Sequence, residues 1–202
     1  LILKIYHVDP RDPRDRLGHE WAFLTYARAR GISSTPEPLA HDLDAQAGLY
    51  SFAEGRKLLA GEDGSGHVDA ALDFVRRLKA GGDELPAASE ACFSLDDHLA
   101  TIERRVVRLA ALDPMAPMQP VAQALVTEAL RPRWLKVRAH LEREAARLGI
   151  ALDSPVAEII ASPSDFGFHN ALVDADDGVT FIDFEYAGRD DPAKLACDFF
   201  SC

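Results

Sequence analysis

Nowhere in this sequence do about 18 apolar residues run together, so no membrane-spanning helix is expected. Cysteine is scarce. The three that occur, Cys92, Cys197 and Cys202, are odd in number and stand in no CxxC pair. That argues against a disulfide framework and against a cysteine-built zinc site. Positive charge is in deficit, with 22 Lys and Arg against 33 Asp and Glu and a net charge of -11. A nucleic-acid backbone is therefore not an expected partner, because its binders present dense basic surfaces. An acidic chain favours a cationic small molecule through its field, although ordinary solubility explains the charge more simply. The opening "LILKIYHVDP" lacks the long apolar core and small-residue cleavage site of a signal peptide. The expected compartment is the cytoplasm. Internal repeats and low-complexity tracts are also missing. What is present is ordinary: 202 residues, 48% hydrophobic and 27% charged, enough for one large domain or two small lobes.

The opening residues read as a strand, apolar at Leu1, Ile2, Leu3 and Ile5 with Lys4 at its centre. A strand that begins at residue 1 implies that earlier strands are missing. "DPRDRLGHEWAFLTYARARG" reads as a helix, with Asp12 as cap, Pro13 at the first position, Asp15 in the first turn and Gly31 as the stop. Leu17, Trp21, Leu24 and Ala27 form its apolar stripe, and Glu20 lies on the same stripe. A carboxylate there is costly unless paired.

"TPEPLAHD" reads as a proline-rich connector, and "AGLYSFAEG" as a strand ending near Glu54 and Gly55. A helix follows the flexible "EDGSG", with Val68, Leu72, Val75 and Leu78 as its stripe and Gly81 as its end. Ser94 caps another helix, carrying Leu95, Leu99, Ile102, Val106 and Leu109. "DPMAPMQP" breaks it, Pro132 interrupts a third helical region, and its last piece, 134–148, stops at Gly149. "ALV", the turn "DADDG" and "VTFID" read as a β-hairpin.

The loop "SPSDFGFHNAL", residues 162–172, leads into that hairpin. If 171–173 pairs with 180–182, the hairpin's centre lies near residue 176 or 177, and Asn170 and Asp183 become cross-strand neighbours. Directly opposed residues have Cβ atoms about 4.5–5.5 Å apart. An amide oxygen and a carboxylate so placed suit Mg²⁺, which takes one or two carboxylates and completes its shell with phosphate and water. Asp165 precedes Asn170 by five residues and folds back over the same point. Taken singly, Asp165 reads as a turn cap, Asn170 as a turn residue and Asp183 as a strand terminator. Taken jointly, they read as a site.

"SDFGFHNAL" followed by "GVTFIDFEYAGRDDP" resembles the aminoglycoside phosphotransferase and choline kinase group, within the protein-kinase-like fold. The Asp-to-Asn spacing of five matches the family's catalytic loop, "IDFE" resembles its metal motif and "GRDDP" its G-x-x-D-P. More weakly, Lys4 in a strand and Glu20 on the next helix resemble its phosphate-contacting Lys and paired Glu. "LYSFAEG" looks like the hinge that receives adenine. The chain departs from the family pattern at Pro163 and Ser164, where His and Gly are usual, and no Gly-rich loop precedes Lys4.

The resemblance implies an α+β, bilobal fold. Residues 1–55 would form an incomplete, β-rich N-lobe with the hinge, and 56–202 a mostly helical C-lobe with the catalytic hairpin, shortened at its end. It implies ATP and Mg²⁺ as cofactors and a small-molecule hydroxyl as acceptor. Asp165 would be the catalytic base. Lys4, Glu20, Ser51, Phe52 and Ala53 would bind nucleotide, and Asn170 and Asp183 would hold the metal. His169 and Glu185 are accessory candidates, Glu185 by pointing to the same side of an extended strand as Asp183. Asp190 and Asp191 read as a helix start. The alternative function is a catalytically impaired, nucleotide-binding pseudokinase. A metal-dependent hydrolase ranks last, since no His-rich metal shell is present.

Overall fold

The described residues begin with β1 (Ile2–Ile5), α1 (Arg16–Ala29), β2 (Pro38–Asp42), β3 (Ala47–Tyr50), β4 (Arg56–Lys57), α2 (Ser65–Leu78), α3 (Leu95–Ala110), α4 (Gln119–Ala124), a π-helical segment (Leu125–Leu130) and α5 (Arg131–Leu148). After them come β5 (Ile160–Ser162), β6 (Ala171–Val173), β7 (Val179–Phe181), β8 (Gly188–Asp190) and α6 (Pro192–Phe200). This computed structural model describes residues 1–200 apart from 11, 13, 60, 63, 79–81, 112 and 116. The architecture is α+β, with helices beside small antiparallel sheets that, among the described residues, are ordered β1-β3-β2, β4-β6-β7 and β5-β8. Among the described residues no helix is long and apolar enough to cross a membrane.

Several elements differ from the sequence expectation. The second half of "TPEPLAHD" is not a connector but β2. Its proline is the first residue of an edge strand, where a missing N–H removes no ladder bond, and the register shifts just after it. β3 ends at Tyr50 rather than near Glu54. Ser51 leaves the ladder to pair with Glu37, donating its N–H to the Glu37 carbonyl (2.9 Å) while its Oγ accepts the Glu37 N–H (2.8 Å).

Helix α1 is capped by Asp15, not Asp12: Asp15 Oδ1 accepts the Gly18 N–H at 2.9 Å. Asp12 instead binds Arg14 and Arg16. The expected roles of Pro13 and Gly81 lie outside the described residues. Gly31 does end α1, with φ +68° and its N–H on the Arg28 carbonyl.

The chain folds as two compact units. The smaller, residues 92–157, is helical. Ser94 caps α3 by accepting the Asp97 N–H, and Asp97 reaches back to the Phe93 N–H. Leu99, Val106 and Trp134 form its core. Pro132 does not interrupt the third helix. The π-helical segment Leu125–Leu130 precedes it, and the Arg131 N–H reaches back five residues to Val126. That wider turn removes the need for a donor at Pro132.

The larger unit comprises residues 1–91 and 158–202. Its core is aromatic. Phe74 on α2 lies 5.6 Å from Phe166, 4.8 Å from Phe181 and 6.1 Å from Phe184, by ring centroids. This cluster rotates α2 away from its expected stripe. The buried residues are His67, Ala71, Phe74 and Leu78, while Val68 and Leu72 are exposed. A phenyl buries more apolar area than a valine, and burial is worth about 25 cal/mol per Å². Phe166 and Phe184 each follow a site aspartate directly in sequence, so the cluster anchors both backbones.

Candidate functional site

Alternation along β1 places Lys4 and Tyr6 on one face and Leu3 and Ile5, both exposed, on the other. Lys4 stands opposite Gly48 on β3. Its Nζ donates to Glu20 Oε2 at 2.6 Å and to Asp183 Oδ1 at 2.6 Å, and lies 3.5 Å from Glu185 Oε2. The carboxylate on the apolar stripe of α1 therefore has its partner. Burial works against the Lys4 ammonium, but Glu20 and Asp183 outweigh it and hold the pKa above the ordinary lysine value.

Glu20 is buried and accepts from three donors. Besides Lys4 these are the Tyr6 hydroxyl at 2.6 Å and, more loosely, the Phe184 N–H at 3.5 Å. Tyr6 and Tyr50 hydroxyls lie 2.7 Å apart. Sequence reading left out both phenols. The signal for Tyr6 was its place two residues after Lys4 on the same strand face.

The far side of the site is the loop before β6. Ser164 and Asp165 both take left-handed backbone, φ +46° and +37°. Ser162 Oγ accepts the Ser164 N–H, and Phe166 plunges into the core. Asp165, about half exposed, is thereby turned outward, with His169 Nε2 3.4 Å from its Oδ1. Asn170 ends the 3₁₀ turn Phe168–Asn170. Its Nδ2 donates to the Asp165 carbonyl at 3.0 Å and lies 3.5 Å from the Asp165 carboxylate. Lys57 on β4 donates to the His169 carbonyl, tying the loop to the neighbouring strand.

The hairpin register differs from expectation by one residue. Ala171 pairs with Phe181 and Val173 with Val179, so Asn170 opposes Ile182, whose N–H donates to the Asn170 carbonyl. Five residues, 174–178, make the turn, closed by Asp174 Oδ1 accepting from the Asp176 and Gly178 N–H groups. Asp183 lies one residue beyond Ile182 and leaves the strand with φ +69°. The extended geometry expected for Glu185 is absent for the same reason. Glu185 nonetheless reaches Lys4, and its other oxygen accepts from Arg16 at 2.5 Å. Asp190 closes β8, fully buried beside Lys194, and Asp191 caps α6 by accepting the Ala193 N–H.

A cleft of about 340 Å³ opens between these elements. Lys4, Glu20 and Asp183 form its charged end. Tyr50, Ser51, Phe52 and Ala53 line it, with Ile2, Leu172 and Ile182 as apolar walls. Asp165, His169 and Asn170 are not among its lining residues. Apolar walls with a few convergent polar groups are the usual make-up of a small-molecule site.

The donor types of Asn170 and Asp183 are ones that Mg²⁺ takes, although the register sets Asn170 opposite Ile182 rather than Asp183. The Asn170 amide turns its nitrogen to Asp165, leaving Oδ1 as an acceptor, and the second oxygen of Asp183 is not taken by Lys4. One amide oxygen and one carboxylate leave the remaining positions to phosphate and water. Among the described residues no group of three His, Cys, Asp or Glu is arranged to hold a metal.

No family model matches the chain, and no curated protein does. Among solved structures, the chain is similar to the aminoglycoside phosphotransferase of Streptomyces rimosus in complex with ADP and streptomycin. The identity is 20% and the TM-score 0.58, over 96% of this chain and 68% of that one. A second structure of that phosphotransferase is similar at 20% identity and a TM-score of 0.49, over 90% of this chain and 66% of that one. The chain thus spans about two thirds of those structures and has the kinase-like fold of an aminoglycoside phosphotransferase.

Proposed function

We propose that the chain is a small-molecule kinase that transfers the γ-phosphoryl group of ATP to a hydroxyl of a small acceptor. The observation that carries this reading is the convergence of Lys4, Glu20 and Asp183 at the charged end of a cleft walled by Ser51, Phe52 and Ala53. In this reading residues 1–55 belong to a β-rich N-lobe and 56–202 to a helical C-lobe. Ser51, Phe52 and Ala53 receive the adenine. Lys4 meets the α- and β-phosphates, and Glu20 keeps it in place. Asn170 and Asp183 hold Mg²⁺, which neutralises charge on the phosphates.

Asp165 orients the acceptor hydroxyl and takes its proton as the new O–P bond forms. The bond from the γ-phosphorus to the bridging oxygen breaks, and ADP leaves. Phosphoryl transfer of this kind rests on positioning and electrostatic stabilisation. His169 supports the Asp165 carboxylate, and Glu185 supports Lys4. The net charge of -11 favours a cationic acceptor. The cytoplasm remains the proposed compartment, with no nucleic-acid partner.

The test is calorimetry with ATP, with and without Mg²⁺, on the parent chain and on Asp183→Ala. Mg²⁺-dependent binding that disappears in the variant supports the reading. No binding by the parent sinks it. Asp165→Asn should retain nucleotide affinity and lose phosphorylation of acceptor alcohols. Equal phosphorylation by that variant would remove Asp165 from the chemistry. Binding by the parent with no transfer to any alcohol would favour the pseudokinase.

A further inference from the structure

Glu20 Oε2 carries two donors, Lys4 Nζ and the Tyr6 hydroxyl, each at 2.6 Å. A phenol has a single proton to give. Tyr6 gives it to Glu20, so the 2.7 Å contact between the two phenols has Tyr50 as donor and Tyr6 as acceptor. The result is a directed chain from the Tyr50 hydroxyl through the Tyr6 hydroxyl to the Glu20 carboxylate. Both rings are buried, and Tyr50 also lines the cleft. Hydrogen bonds in such a chain polarise one another, and a low-dielectric setting strengthens them.

The chain is built into the sheet. Lys4 and Tyr6 sit two apart on β1 and its extension, and the Tyr6 N–H is held by the Gln46 carbonyl. Tyr50 stands two residues after Gly48 on β3 and leans over it. A Cβ at Gly48 would come 2.4 Å from the Tyr50 hydroxyl. The missing side chain at Gly48 is therefore what gives the phenol its place.

We propose that Tyr6 and Tyr50 are positioning residues for the nucleotide site. They fix the Glu20 carboxylate, and through it Lys4, and they link that pair to the wall of the cleft. The inference rests on the kinase reading for its ligand. Its own content is that two buried phenols, neither of which touches the phosphates, set the affinity for ATP·Mg²⁺ by acting through Glu20.

The experiment is calorimetric titration of ATP·Mg²⁺ into the parent, Tyr6→Phe, Tyr50→Phe, Gly48→Ala, Glu20→Gln and the double variant Tyr6→Phe/Glu20→Gln. Melting curves verify that each is folded. A hydrogen bond to a charged group lost from Glu20 should weaken binding about tenfold in Tyr6→Phe. Tyr50→Phe and Gly48→Ala should weaken it less, about threefold, because they act one link further away. In the Glu20→Gln background, Tyr6→Phe should add no further loss, which a general loosening of the core would not reproduce. Unchanged affinity in Tyr6→Phe, or losses that simply add in the double variant, overturns the inference while leaving the kinase reading intact. Absence of binding by the parent overturns both.

Discussion

Replacing Phe74 by alanine should cost about 3–5 kcal/mol, the range for removing a phenyl from a packed core. Phe74 is 1% exposed and touches the rings of Phe166, Phe181 and Phe184, at centroid distances of 5.6, 4.8 and 6.1 Å. The neighbours are large and held by one another: Phe166 and Phe181 lie 5.0 Å apart, and Phe23 stacks on Phe184 at 4.7 Å. Rings so braced cannot collapse into the space left behind, which puts the loss in the upper half of that range. For a chain of this length each kcal/mol lowers Tm by about 2–4 °C, so the midpoint should fall by about 8–20 °C. Calorimetry and urea unfolding read this directly. Phe74→Leu keeps most of the volume and should cost under about 1.5 kcal/mol. It should still weaken ATP·Mg²⁺ binding, because the cluster holds the backbone beside Asp165 and Asp183, although Phe74 does not line the cleft. A loss below about 1 kcal/mol in Phe74→Ala would refute the cluster as an anchor.

Ser164→Gly should stabilise the protein by about 1–2 kcal/mol, since a left-handed backbone costs a side chain roughly that much. The buried Ser164 hydroxyl also finds no hydrogen-bond partner among the described residues; a lower midpoint in chemical denaturation would contradict this. All four tyrosines, Tyr6, Tyr26, Tyr50 and Tyr186, have pKa values raised first by burial. Lys4 is also raised, because Glu20 and Asp183 outweigh its burial. Groups raised in the folded state contribute stability that is complete below their unfolded values and lost above them, so stability should hold to about pH 10 and then fall. Tyr6, the most strongly raised, should ionise only with alkaline unfolding, and an unchanged tyrosinate absorbance near pH 10 in Tyr6→Phe relative to the parent is expected; Tyr6 ionising near pH 10 in the folded chain would refute this. Pro132→Ala should change stability by less than about 1 kcal/mol, because the π-helical turn already removes the strain of the proline; a gain or loss of several kcal/mol by thermal melting would count against that account.

Much of the site was legible because it breaks local rules. A lysine inside an apolar strand and a carboxylate on an apolar helical stripe each need a partner, and each is the other's. The hairpin was legible from its two apolar runs and its acidic turn. Its register was not, since 174–178 closes through Asp174 side-chain bonds that shift the pairing by one residue. Strand β2 was hidden by Pro36 and Pro38, which read as a connector until the edge position is known. The stripe of α2 was ambiguous because Leu78 belongs to both candidate faces, and only the phenylalanine cluster selects Phe74 over Leu72. Tyr6 and Tyr50 are absent from the sequence reading because a buried phenol shows its hydrogen-bond partner only in three dimensions.

Asp165 and Asp183 share a construction: a left-handed aspartate followed at once by a phenylalanine locked in the core. Each outward acid and its inward ring are neighbours along the chain, so the loop and the hairpin are constrained in length more than in composition. Slipping either segment by one residue would exchange the two, sending a carboxylate into an aromatic core and a phenyl into water. Substitutions at Ala175 and Asp176, whose side chains do not close the turn, should be common among drifting copies of this gene. Single-residue insertions or deletions between Phe166 and Asp183 should be rare, and those that survive should come with a second change that restores the count.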